Sequence, residues 1–235
     1  MKVKELSVFL PAYNEEVALK ETIEKADKIL QKIAGEYEIL IINDGSKDKT
    51  GEIADRLAKK NKLIRVIHHP QNRGYGAALK SGFYQAKYPW IVFTDADGQF
   101  DFKEITKFFA AQKKTEADLV IGYYLKRQVP LYRILGSKYL WELPVFLLFG
   151  LKIKDIDCGF KLIRKEVIEK IPKLESERGP FITTEFLVKA KKSGFKITDV
   201  GVHHYPRKAG QATGVSLKVI FSAYSDLIRL WRKVK

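Results

Sequence analysis

Short apolar runs alternate with amphipathic stretches through the first 125 residues. Residues 5–11 form one such run and predict a strand. Residues 15–33 put Leu19, Ile23, Ala26, Leu30 and Ile33 on one face, which predicts a helix, with Gly35 as its stop. The alternation continues with predicted strands at 38–42, 63–68, 90–94 and 118–122, and predicted helices at 50–60, 76–87 and 102–113. Strands this short and apolar, separated by amphipathic helices, indicate an α/β fold with a mainly parallel sheet and helices on both faces. The second half is less regular. Residues 130–150 are apolar with few charges, 158–163 and 196–204 read as strands, and 181–192 reads as a helix. Residues 215–234 are amphipathic, with Leu217, Phe221, Tyr224, Ile228 and Trp231 expected on one face. No linker or repeat divides the chain, so residues 1–235 are expected to form a single domain.

In a sheet of this kind, ligands bind beyond the carboxyl ends of the strands. Polar motifs fall at three predicted ends: Pro11-Ala12-Tyr13-Asn14-Glu15, Asn43-Asp44-Gly45-Ser46 and Asp95-Ala96-Asp97-Gly98-Gln99. Two carboxylates one residue apart after a buried strand repel each other and lose hydration, so a cation should offset them. Asp95, Asp97 and Gln99 supply oxygen ligands of the kind Mg²⁺ or Mn²⁺ prefers, with nucleotide phosphates completing the shell. A turn rich in Asp and Gly that caps the next helix would give the same string. Asn14 is expected to cap the first helix, with Glu15 and Glu16 complementing its dipole. That role leaves Tyr13 unexplained, and its ring could flank a nucleobase. Asp44 could accept from a base N–H or simply begin a turn. Gly74 and Gly76 permit close backbone approach to a ligand at a helix start. No Walker loop is present, since no Gly-Lys-Ser/Thr follows.

The ordered set LPAYNE, NDGS, NRGYGAA, DADGQ, DCGFKL and HYPRKAG resembles glycosyltransferase family 2 from about Leu6 to Gly214. Within that family it is most similar to the dolichol-phosphate mannose synthases and dolichyl-phosphate glucosyltransferases. The resemblance implies a GT-A (Rossmann-like) fold and a metal-dependent, inverting transfer from a nucleotide-sugar, GDP-mannose or UDP-glucose. It implies a donor site made of Pro11, Ala12, Tyr13, Glu15, Ile42, Asp44, Gly74, Asp95, Ala96 and Asp97, with the metal, Mg²⁺ or Mn²⁺, on Asp95, Asp97 and Gln99. Residues 1–125 would then bind the donor and residues 126–235 the acceptor. Arg133, Ser137 and Arg207 fall where the acceptor phosphate of a polyprenyl lipid would be held. Two departures stand out. Asn43 replaces the first Asp of the usual Asp-Asp-Gly-Ser, and Gly122-Tyr123-Tyr124 replaces a usual Gly-Ser-Arg, with Arg127 further on.

A lipid phosphate is ionised near neutral pH, so positioning and charge stabilisation can carry the transfer, with Asp97, Arg133 and Arg207 as the central groups. A sugar hydroxyl acceptor would need a carboxylate base, for which Asp157 and Glu185 are the candidates. The histidine pairs 68–69 and 203–204 lack a cysteine partner at zinc spacing and read as strand-end residues.

The formal net charge of +15 comes from 43 Lys and Arg against 28 Asp and Glu. It fits anionic partners, or a generally lysine-rich surface. A nucleic-acid-binding module would leave the DADGQ carboxylates unexplained, so no nucleic-acid partner is expected. One cysteine, no signal-like N-terminus and no apolar run near the ~20 residues of a membrane span point to a cytoplasmic protein. The apolar 131–149 segment and the basic, amphipathic 215–235 segment would suit peripheral contact with the cytoplasmic face of a membrane.

Overall fold

The computed structural model describes residues 2–126, 136, 138–177, 179–207 and 217–234, with backbone only over 217–222. Seven strands form one sheet: β1 (Val3–Ala12), β2 (Ala34–Asn43), β3 (Ile64–His68), β4 (Trp90–Thr94), β5 (Leu119–Tyr124), β6 (Phe160–Arg164) and β7 (Ile197–Val202). Their order is β3-β2-β1-β4-β6-β5-β7. Pairing is parallel throughout except at β6, which runs antiparallel to both β4 and β5. The sheet is mixed and mainly parallel, with helices on both faces, as the sequence predicts.

The described α-helices are α1 (Leu19–Ile33), α2 (Thr50–Lys60), α3 (Tyr75–Gln85), α4 (Ile105–Thr115), α5 (Leu143–Phe149), α6 (Lys165–Lys170), α7 (Phe181–Lys192) and α8 (Leu217–Val234). Both faces of the central strands are buried, which explains their unbroken apolar runs. On one face Leu6, Val8 and Leu10 pack under α1, α2 and α4. On the other, Phe9, Ile91 and Phe93 pack under α3, α5, α6, α7 and α8. There α3 comes so close to β1 that a Cβ on Gly82 would lie 2.1 Å from Phe9 Cδ2. Phe9, Phe83, Phe93 and Phe186 form a continuous ring cluster with centroids 5.1–5.8 Å apart.

Four expectations change. The first helix begins at Leu19 and not at residue 15, and its N-cap, Ala18, makes no side-chain bond. Asn14 instead takes a left-handed φ of 57° and joins the loop after β2. Gly35 is not a stop; α1 passes directly into β2, where residue 35 lies. In α8 the core-facing positions are Leu227 and Leu230, with Tyr224, Trp231 and Val234 partly buried beside them, while Ile228 is 50% exposed. The side chains of Leu217 and Phe221 lie outside the described residues.

Candidate functional site

The parallel strands β1, β2 and β4 all end on the same side of the sheet, and β1 pairs with β2 as far as Pro11–Ile42 and Ala12–Asn43. That register sets the loops after β1 and β2 side by side. They are laced together: Asn14 N–H donates to Ser46 Oγ, Lys47 N–H to Asn14 Oδ1, Glu15 N–H to Thr50 Oγ1, Glu16 N–H to Asp48 Oδ2, and Lys49 N–H to Glu16 Oε2. Glu15 is fixed by this lacing rather than by a helix. Pro11, Ala12 and Ile42 are buried beneath the loops, and Tyr13 is half-buried.

Asp44 holds the other wall. Its Oδ1 accepts from His69 Nδ1 at 2.6 Å and from Arg73 N–H at 3.0 Å. Its Oδ2 accepts from Asn72 Nδ2 at 3.0 Å and from Gly74 N–H at 2.9 Å. His69 bonds onward to Ser81 Oγ on α3. Asp44 therefore clamps the β3–α3 loop against β2, and Gly74 meets it with a φ of 98° that a side chain would rarely adopt. Asn43 donates to His68 Nδ1, which leaves His68 Nε2–H to face Asp55.

The turn after β4 presents the paired aspartates. Asp97 Oδ1 accepts from Gln99 N–H, and Gly98 turns the chain with a φ of 75°. Asp95 accepts from Tyr75 O–H at 3.0 Å, and Gly159 backs it so closely that a Cβ there would lie 2.0 Å from Oδ2. Behind them Lys161 is fully buried, donating to the Cys158 carbonyl, with Nζ 5.0 Å from the centroid of Phe93. Burial pushes the Lys161 amine below its usual range. Burial, reinforced by the charge of Asp97, pushes the Asp95 carboxyl well above the usual range. Glu15 rises to about 7, chiefly by burial and against the pull of Arg207.

Arg207 arrives from the far end of the chain. After β7, Phe100 and His204 form an antiparallel bridge; Tyr205 N–H donates to Gln99 O, and Gln99 Nε2 donates to Tyr205 O, both at 2.8 Å. This clip carries the Arg207 guanidinium to Glu15 Oε1 at 3.0 Å and Asp97 Oδ2 at 2.8 Å. The two carboxylates thus meet a cation at the strand ends. Phe100 and Tyr124 flank the His204 ring in the same clip.

Residues 7–172 match the profile of glycosyl transferase family 2. The chain belongs to that family. Two family relatives are similar over most of it. Glycosyltransferase AglD of Haloferax volcanii is 30% identical across 97% of this chain and 37% of its own length. A dolichyl-phosphate beta-glucosyltransferase of Dictyostelium discoideum is 33% identical across 84% of this chain and 65% of its own. The chain therefore spans less than two thirds of these relatives. Among solved structures, mannosyl-3-phosphoglycerate synthase from Rubrobacter xylanophilus superposes with a TM-score of 0.74 at 16% identity, over 98% of this chain and 74% of that one. Glucosyl-3-phosphoglycerate synthase from Mycobacterium tuberculosis, in complex with Mn²⁺, UDP and phosphoglyceric acid, gives 0.67 at 19%, over 97% and 78%. These likenesses bear on the fold.

Of the other expected family 2 positions, Ala96 is buried within the turn. Gln99 engages its amide nitrogen with Tyr205, so the amide oxygen is what it can offer an ion. Asp157 is exposed, and Thr183 Oγ1 approaches it at 3.4 Å. Glu185 is buried and committed to structure: it accepts from the backbone N–H groups of Glu175 and Ser176 and from Lys189 Nζ. Burial alone would raise the Glu185 carboxyl, but these bonds outweigh it and hold it below the usual range, which suits an ion-pair anchor rather than a base. Arg133, Ser137 and Arg127 lie outside the described residues. Tyr75, Gly159 and Lys161 are not singled out by the sequence, and His69 reads there only as a strand-end residue. The tyrosine between two glycines and the glycine before Phe160 were the available signals.

Proposed function

We propose that this chain is a metal-dependent, inverting hexosyltransferase that moves glucose from a nucleotide-sugar to a polyprenyl phosphate. The observation that carries the reading is the convergence of Glu15, Asp95, Asp97 and Arg207 at the strand ends. It is supported by relatives named dolichyl-phosphate beta-glucosyltransferases and by the Mn²⁺- and UDP-bound fold neighbour. Mannose from GDP-mannose is the alternative donor.

The residues suit a divalent cation. Burial and the charge of Asp97 make the Asp95 carboxyl harder to ionise, so a positive charge there is favourable, and Asp95, Asp97 and the Gln99 amide offer oxygen atoms. Among the described residues no three His, Cys, Asp or Glu side chains group into a closed cage, so nucleotide phosphates and water would complete the shell. The cation would neutralise charge on the departing diphosphate. Pro11, Ala12, Tyr13, Ile42, Asp44 and Gly74 would line the nucleoside. Arg207, with Arg133 and Ser137, would hold the acceptor phosphate, since a guanidinium matches phosphate oxygens in a fork. A phosphate oxygen then bonds to the anomeric carbon from the side opposite the nucleoside diphosphate as that bond breaks, and no proton need be removed.

A hydroxyl acceptor is less well served. Glu185 is locked in its ion pair, and only Asp157 would remain as a base. Residues 1–125 would serve the donor and 126–235 the acceptor within one domain. None of the described helices is long and apolar enough to cross a membrane. Tyr139, Leu140, Leu143, Phe146 and Leu147 are nonetheless exposed around α5, Leu147 to 71%. We place this face against a membrane surface, on the cytoplasmic side, where a lipid phosphate would be met.

The test is transfer of labelled sugar from UDP-glucose and, separately, GDP-mannose to a polyprenyl phosphate with Mn²⁺ or Mg²⁺. Metal-dependent label in the organic phase, lost in Asp97→Ala, is the expected result. Label confined to the aqueous phase would point to a soluble acceptor. No metal-dependent nucleotide binding at all would overturn the reading.

A further inference from the structure

Arg207 does more in this fold than wait for an acceptor. Its two terminal nitrogens fork across carboxylates from two different motifs, 192 and 110 residues away in sequence. One of those carboxylate oxygens, Asp97 Oδ2, belongs to a residue that would ligate the metal, and it is already in a 2.8 Å ion pair. A divalent cation binds carboxylate oxygens at about 2.0–2.2 Å. If both held that oxygen, the guanidinium nitrogen and the metal would lie about 4 Å apart and repel, so each weakens the other's hold on Asp97. We propose that Arg207 is an exchangeable counter-ion: it neutralises Glu15 and Asp97 until a divalent cation bound to a nucleoside diphosphate displaces it, and the released guanidinium then holds the acceptor phosphate. This rests on the proposed function and adds an order to it, donor before acceptor.

The surrounding structure fits an exchange. The clip that delivers Arg207 is anchored at Tyr205, two residues before it, to the backbone and side chain of Gln99. The anchor keeps the released group near the aspartates, where an acceptor phosphate would approach. A bare cation would gain Asp95 and the Gln99 oxygen but would have to compete with the arginine at Asp97. A cation carrying a diphosphate brings its own phosphate ligands, so nucleotide tips the competition toward exchange. Arg207 thus acts as a positioning residue that links the occupancy of the two substrate sites, and such linkage is reciprocal.

The test is Mn²⁺ binding followed by electron paramagnetic resonance, with and without UDP, on the full chain, Arg207→Gln, Arg207→Lys and Asp97→Asn. Loss of one charge-assisted contact corresponds to about tenfold in affinity. Arg207→Gln should bind Mn²⁺ alone about tenfold more tightly than the unmodified chain, and UDP should strengthen Mn²⁺ binding less in that variant. Arg207→Lys, which keeps a charge but cannot fork across two carboxylates, should fall between. Inorganic phosphate, as an acceptor probe, should bind the unmodified chain better once Mn²⁺ and UDP are present, and Arg207→Gln should lose that gain. Equal Mn²⁺ affinities and equal UDP effects in the unmodified chain and Arg207→Gln would overturn the exchange and leave the metal reading standing. If Asp97→Asn binds Mn²⁺ with UDP as tightly as the unmodified chain, the metal reading itself fails.

Discussion

Gly159→Ala isolates Asp95 without touching its chemistry. The added methyl would lie 2.0 Å from Oδ2 and 2.7 Å from Cγ of Asp95. Non-bonded atoms need about 3.5 Å, so the carboxylate must retreat by more than roughly 1 Å. Gly159 is not among the residues with positive φ, so alanine takes its backbone without strain. The substitution also lowers unfolded-state entropy, worth about 0.4–1 kcal/mol in favour of folding. Against this stands an overpacking cost of about 1–3 kcal/mol. That cost falls at the low end, because the atom struck is the end of a side chain. The net loss is no more than about 0.6 kcal/mol, or roughly 1–2 °C in Tm for a chain of this size. Function should suffer far more. A displacement of about 1 Å at a reacting centre costs on the order of 10²-fold in rate. The assay pairs a thermal melt with initial rates of sugar transfer and with Mn²⁺-dependent UDP binding. A variant that melts within a few degrees of the parent and still transfers at the parental rate would refute the placement of Asp95 at the donor phosphates.

Three other outcomes can be checked. Gly82→Ala sets a Cβ 2.1 Å from the Phe9 ring in a core with no room to yield, so the overpacking cost of about 1–3 kcal/mol should outweigh the ~1 kcal/mol gain in helix propensity; a chemical melt showing a more stable variant would contradict the packing. Glu185→Gln breaks the buried pair with Lys189 and should lower stability by about 3–5 kcal/mol. Because the folded Glu185 carboxyl is held below its ordinary range, its contribution is complete above the unfolded pKa and is lost as pH falls through the folded one. Stability measured from pH 6 down to 3 should therefore fall more steeply in the parent than in Glu185→Gln, and parallel curves would remove Glu185 from the ledger of acid-sensitive groups. His69→Ala strips Asp44 of its 2.6 Å partner and should cost about 1–3 kcal/mol in urea denaturation; an unchanged midpoint would show that the clamp on the β3–α3 loop holds without it.

The strand ends were legible because period and apolar run length report burial directly, and the three polar motifs sit where those runs stop. Strand direction was not legible. The run that became β6 reads like any buried strand, and only pairing with β4 and β5 shows it to be reversed. Asn14 was read as a cap because Asn before two acidic residues satisfies helix-start chemistry locally; the partners that recruited it, Ser46 and Lys47, lie more than thirty residues away. Glu185 illustrates the same limit. Its position early in a helix fits a dipole role or a base equally, and its bonds to the 175–176 backbone decide between them. Asp97 also meets a cation from the chain itself, Arg207, through a pairing that no local pattern encodes.

The clip between Gln99–Phe100 and His204–Tyr205 joins segments 106 residues apart, across β5, β6 and β7. Contacts so distant in sequence close against the loop entropy of everything between them. The strands that carry Glu15 and Asp97 are also synthesised before Arg207. A nascent chain released only as far as β7 would carry the acidic half of the site without its internal cation. Completion of the candidate site is thus tied to completion of the sheet, and fragments that stop short of the clip should lack the site as well as be unstable.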